Sequence, residues 1–144
     1  MVGLVFSIVA GAAMSLQGVW NTRLQEKIGG FETTAFVQGT GFIFAFAAAL
    51  IFGSGNIKQI GEVNKLYLFG GLLGIVITFT VMQGISALGT TFAVSAILVS
   101  QLVTAALIDA FGLFGSEKAA FGFPQILGIM LMIGGMLVFK VQHR

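Results

Sequence analysis

The stretch GTTFAVSAILVSQLVTAALIDAFGLFG, Gly89 to Gly115, contains a single ionisable side chain, Asp109. About 20 mainly apolar residues are enough to cross the hydrocarbon of a bilayer as a helix, and this stretch is longer than that. A lone strand in the same place would leave its backbone groups unpaired in lipid, so the segment reads as a helix. The rest of the chain has the same character. Of its 144 residues, 57% are hydrophobic and 8% charged, and the mean hydropathy is +1.03. Soluble domains are about 25% charged. A chain of this size cannot bury so much apolar surface in itself, so its solvent is lipid. The alternating pattern of a membrane barrel is absent.

Working outward from Gly89–Gly115, the sequence predicts an all-α integral membrane protein with one transmembrane domain over residues 1–144. Its five spans run from about Val2 to Trp20, Thr33 to Phe52, Leu66 to Leu88, Thr90 to Phe114 and Phe123 to Phe139. The N-terminal stretch ends in small residues, Ala10–Gly11–Ala12–Ala13, as a signal peptide would. It has no basic leader and stays apolar to Trp20, so it is expected to be retained as the first span. Asn21 to Glu32 and Ser54 to Lys65 read as polar connections, the first turning at Gly29–Gly30. Little more than Gly89 separates spans three and four. Pro124 stands where a helix starts comfortably. Trp20 and Tyr67 fall at span ends, where amphipathic rings anchor at the headgroups.

Flanking Lys and Arg normally fix which way a membrane protein faces. Here they are balanced. The side of the N-terminus receives Lys58, Lys65 and Lys118; the other receives Arg23, Lys27, Lys140 and Arg144. An odd number of spans with so little bias leaves three arrangements open. The chain inserts both ways up and pairs with an inverted copy, or pairs with itself in one orientation, or pairs with a separate homologous chain.

Polar side chains inside the spans mark either packing contacts or a pathway. Gln17, Gln38, Gln83, Gln101, Thr104 and Asp109 form a candidate polar track, with Asn21 just beyond span one. On an ideal helix Gln101, Thr104 and Asp109 share one broad face, beside a small-residue stripe of Ala96, Ser100 and Thr104. Gln101 suits either pathway lining or a hydrogen bond to a neighbouring helix, the latter usually worth about 0.6 kcal/mol. Asp109 suits either a cation or proton site, or a helix cap, a position at the membrane interface or a pairing with Lys118. Glu32 at the start of span two suits the helix dipole. Gly70 and Gly74 have the spacing of a close helix crossing.

The composition also sets exclusions. There is no Cys, so disulfides and thiolate metal sites are ruled out. His143 is the only His and has no carboxylate cluster beside it. No HExxH, phosphate loop or GxSxG pattern occurs, so no enzyme activity, cofactor or metal is expected. Nucleic acid is not an expected partner, because no basic patch exists to hold it. Without an ATP site, any pumping draws on a gradient.

Several stretches resemble the YdcZ-like proteins, small bacterial members of the drug/metabolite transporter superfamily. In GAAMSLQGVWNTRL, Gln17, Asn21 and Leu24 are spaced as in that family. Phe36–Val37–Gln38–Gly39–Thr40 and LFGGLLG, Leu68 to Gly74, are similar to its second and third spans. The most specific match is SQLVTAALIDAFGLFG, where Gln101, Asp109, Phe111 and Gly112 fit its Q…D-x-F-G pattern. The segment ILGIMLMIGGMLV is similar to its last span. The resemblance implies a five-helix half-transporter in the bacterial cytoplasmic membrane, completed by an inverted second copy. The small multidrug exporters of the superfamily carry an acid in their first span, which is absent here, leaving Asp109 as the one candidate substitute.

The expected function is therefore secondary transport of a small organic metabolite or drug by an antiparallel homodimer embedded in the lipid bilayer. Inverted repeats of this kind place a site near the midplane and alternate by rocking about it. Two other readings are a non-transporting membrane assembly subunit and one half of a heteromeric transporter.

Overall fold

The computed structural model describes residues 1–118 and 122–141. The expected roles of His143 and Arg144, and part of the connection before Phe123, lie outside the described residues. Five helices are long and apolar enough to cross a membrane. They are built on α1 (Val2–Ile28), α2 (Gly30–Phe52), α3 (Gly70–Leu88), α4 (Thr90–Phe111) and α5 (Phe123–Val141), the third span running Lys65–Leu88. Two short 3-10 turns, Ile57–Gly61 and Lys65–Phe69, connect α2 to α3, and a third, Leu113–Gly115, follows α4. The chain divides into two compact units, Met1–Gln83 and Gly84–Arg144.

In the first unit α1 packs against α2. Here the sequence expectation needs correction. The connection expected over Asn21–Glu32 is helical except at Gly29. α1 runs to Ile28 and α2 begins at Gly30. The reason is local: Leu, Gln, Glu, Lys and Arg are strong helix formers. Arg23 also pairs with Glu26 one turn on, at 3.0 Å. Polar character therefore marked where the helix leaves the hydrocarbon rather than where it ends. At 27 residues α1 is about 40 Å long, longer than the ~30 Å hydrocarbon core.

Gly29 makes the turn at φ 96° and ψ 158°, a conformation open essentially to glycine alone. Its N–H donates to the Gln25 carbonyl at 3.0 Å, and its carbonyl accepts from Thr33 N–H at 3.0 Å. Both helix ends are thereby closed without a loop.

The second unit holds α4 and α5, packed together, and the last residues of α3. Gly89 joins α3 to α4 at φ 79° and ψ 158°. α4 stops at Phe111, earlier than the expected Phe114, because Gly112 takes a left-handed cap at φ 62° and ψ 39°. The Ser116 hydroxyl then lies 2.9 Å from the Leu113 carbonyl and 3.3 Å from the Ile108 carbonyl, tying down the end of α4. Pro124 is the second residue of α5, where its missing N–H costs nothing. Lys140, near the end of α5, places its Nζ 5.5 Å from the centre of the Phe92 ring near the start of α4, so the two helices run antiparallel.

Few side chains are buried. Met82, Ile85 and Ala93 are the buried apolar ones among the described residues, while large apolar groups along every helix are exposed. In water this would be untenable; in lipid it is the expected surface of a membrane-spanning chain.

Candidate functional site

The polar side chains of the first unit gather where α1, α2 and α3 meet beside Gly29. Asn21, Thr22, Thr33 and Thr34 are buried there, and they are the buried polar residues among those described. Thr22 donates to the Gly18 carbonyl and Thr34 to the Gly30 carbonyl, each at 2.8 Å, the usual arrangement for a hydroxyl in a membrane helix. Thr33 is different. Its hydroxyl is completely enclosed and has no hydrogen-bond partner among the described residues. The carbonyl four residues back belongs to Gly29 and accepts the Thr33 N–H at 3.0 Å but not its hydroxyl.

Three amides link these helices. Gln25 Nε2 donates to the Met82 carbonyl at 3.3 Å, and Gln83 Nε2 donates to Gln25 Oε1 at 3.4 Å. Gln38 Nε2 reaches Thr78 Oγ1 at 3.5 Å. Two glycines make room for them. A Cβ on Gly74 would stand 2.9 Å from Gln38 Nε2, and one on Gly30 would stand 3.1 Å from Phe79 and 3.3 Å from Gln83 Nε2. Phe31 stacks on Phe79 with ring centres 4.8 Å apart, covering this end of the helices with aromatic surface.

Gln17 lies higher on α1, close to the middle of the helix. With Ala10, Ala13, Met14, Leu16 and Trp20 it lines a shallow hollow of about 540 Å3, open to the surroundings. The small side chains of Ala10 and Ala13 create the depression, and Trp20, 68% exposed, walls one end. The hollow presents one amide amid apolar surface.

In the second unit Gln101 sits midway along α4 and is exposed, as are Thr104 and Asp109. Thr104 satisfies its hydroxyl on the Ser100 carbonyl at 2.9 Å. Gln101 and Asp109 have no side-chain partner among the described residues, and neither does Gln17. Lys118 does not pair with Asp109; its aliphatic stem lies over Gly112, and the one ion pair among the described residues is Arg23–Glu26.

The residues expected to form a polar track differ in their local surroundings. Gln38 and Gln83 are tied to neighbours, Asn21 is enclosed in the hairpin, and Gln17, Gln101 and Asp109 stand exposed and unpaired. Of the small-residue positions, Gly74 has a close neighbour in Gln38 whereas Gly70 faces open space. Ala96 is half-buried and Ser100 exposed. Sequence reasoning missed Gln25, Thr33 and the Phe31–Phe79 stack. All three follow from one hidden fact, the continuation of α1 through Ile28, and the helix-forming run Arg23–Lys27 was the available signal.

No match was found among curated proteins or solved structures. A family model described as "Putative inner membrane exporter, YdcZ" matches residues 2–138. That match takes in α1 to α4, most of α5, both glycine turns and every candidate site residue. The chain is a multi-pass membrane protein and belongs to the YdcZ family of the drug/metabolite transporter type.

Proposed function

We propose that this chain is a secondary exporter of small polar or amphipathic organic molecules, working as an antiparallel pair of identical copies in the bacterial inner membrane. One observation carries the reading: Gln101 lies near the middle of an apolar helix and Gln17 within the apolar part of α1, one turn before Trp20, yet both are exposed and have no side-chain partner among the described residues. An amide moved from water to a medium without hydrogen bonds loses about 4–8 kcal/mol. Such a cost is avoided if water, a substrate or a second copy meets these amides. An inverted copy supplies the same groups from the opposite direction and forms a midplane site from a half-unit. The even division of basic residues permits both orientations.

Each group then has a role. Gln17 and Gln101 exchange hydrogen bonds between water and substrate, while Trp20 and Met14 receive its apolar part. Asp109, near the end of α4, offers a carboxylate to a cationic group or a proton. Gln38 and Gln83 border the path and are held in place by Thr78 and Gln25.

Transport into or out of proteoliposomes across a metabolite panel tests the reading, with Gln17→Leu, Gln101→Leu and Asp109→Asn compared with the parent protein. At least tenfold slower transport is expected for Gln101→Leu, with a smaller loss for Gln17→Leu. Asp109→Asn is expected to lose transport of cationic substrates selectively. Unchanged rates in all three would remove the assigned residues.

A further inference from the structure

The connection between α2 and α3 has the wrong chemistry for a free loop in water. Ile57, Ile60, Val63, Leu66 and Phe69 recur at every third residue and all are exposed, Ile57 by 83%. Lys58, Gln59, Gly61, Glu62, Asn64 and Lys65 occupy the positions between Ile57 and Leu66, after which Tyr67 and Leu68 carry the chain into the apolar third span. A period of three matches a 3-10 helix, in which residues three apart eclipse one another. The chain forms such turns here, Ile57–Gly61 and Lys65–Phe69. Ile57 and Ile60 therefore share one side of the first turn, and Leu66 and Phe69 share one side of the second.

The backbone of this segment is also unusually self-sufficient. Asn56 Oδ1 accepts from Lys58 N–H at 3.1 Å, and Asn64 Oδ1 accepts from Leu66 N–H at 3.0 Å. The Gln59, Glu62 and Tyr67 N–H groups donate to the Asn56, Gln59 and Asn64 carbonyls at 3.2, 2.9 and 2.9 Å. Water would satisfy these groups unaided; a segment near hydrocarbon must do so itself.

We propose that residues 57–65 form a strap seated in the boundary between lipid headgroups and acyl chains, apolar side inward, with Leu66 onward entering the third span. The segment leaves the end of one membrane-spanning helix and enters the start of the next, so both ends are fixed at the same membrane surface. Lys58 and Lys65 suit the phosphate layer above. Tyr67 adds an amphipathic ring of the kind found at this depth. Partial insertion of such a stripe is the binding mode of amphipathic segments that lie on membranes.

The chain lacks cysteine, so single cysteines can be introduced cleanly. Each position from 57 to 66 is changed to Cys in turn, labelled with an environment-sensitive fluorophore, and reconstituted in vesicles of mixed zwitterionic and anionic phospholipid. Quenching by lipids brominated on the acyl chains is compared with quenching by aqueous iodide. Acyl-chain quenching is expected to peak at 57, 60, 63 and 66, at least twofold above the intervening positions, with iodide showing the inverse. A flat profile dominated by iodide would overturn the proposal in favour of a solvated loop. Apolar positions protected from both quenchers would overturn it in favour of a protein partner or a second copy.

Discussion

The turns at Gly29 and Gly89 are the same device in different chemical surroundings. Both glycines have positive φ with ψ 158°, 96° in one and 79° in the other. Both donate to the carbonyl four residues back, at 3.0 and 2.9 Å, and accept from the N–H four residues on, at 3.0 and 3.1 Å. Counting from each glycine, Thr22 corresponds to Met82, Gln25 to Ile85, Thr33 to Ala93 and Thr34 to Val94. One turn is lined with hydroxyls and an amide, the other with apolar side chains. A single-residue hairpin thus needs only glycine's backbone freedom, and the neighbouring positions are free to be polar or apolar. At Gly29 that freedom leaves Thr33 with a hidden, unpaired hydroxyl, a local disadvantage that the Gly89 turn avoids with Ala93.

The comparison predicts unequal costs at matched positions. Ile85→Ala should be the most damaging, by about 2 kcal/mol or more, since it empties a packed site. Gln25→Ala, its counterpart, should lose only about 1 kcal/mol, since it removes two polar contacts between membrane helices usually worth about 0.6 kcal/mol each. Thermal or denaturant unfolding in detergent measures both, and equal losses would break the contrast. Gly29→Ala and Gly89→Ala should each cost on the order of 1–3 kcal/mol, because any side chain is strained there. A clear difference between the two would mean that the surroundings, rather than the backbone, set the turn. Thr33→Val should stabilise by about 1 kcal/mol, since it removes an unpaired buried hydroxyl without altering shape. Destabilisation instead would mean that the hydroxyl has a partner in the working protein.

Hydropathy was enough to read the spans from the sequence, because lipid imposes one length and one polarity on any helix that crosses it. It could not read the end of α1. Arg23, Glu26 and Lys27 are polar, and polarity marks departure from hydrocarbon rather than the end of a helix. The double glycine pointed to a turn, but only Gly29 turns; Gly30 begins α2 and lets Phe79 and Gln83 approach. The polar residues were legible as a set, yet their division into paired and unpaired was not. Gln83 binds Gln25, a residue 58 positions away that sequence spacing could not connect to it. Thr33 escaped notice because a threonine in a helix normally bonds to its own backbone, and here the hydroxyl makes no such bond.

The most direct test concerns Gln101, in the middle of α4. A cysteine there, in otherwise cysteine-free protein in sealed proteoliposomes, is exposed to a small membrane-impermeant thiol reagent, with a cysteine at the exposed apolar position Phe42 as the lipid-facing control. Rapid modification at position 101, slowed by transported substrate, alongside an inert position 42, is the predicted result. A cysteine at 101 as unreactive as that at 42 would place Gln101 in a dry environment and contradict a water-accessible pathway along α4.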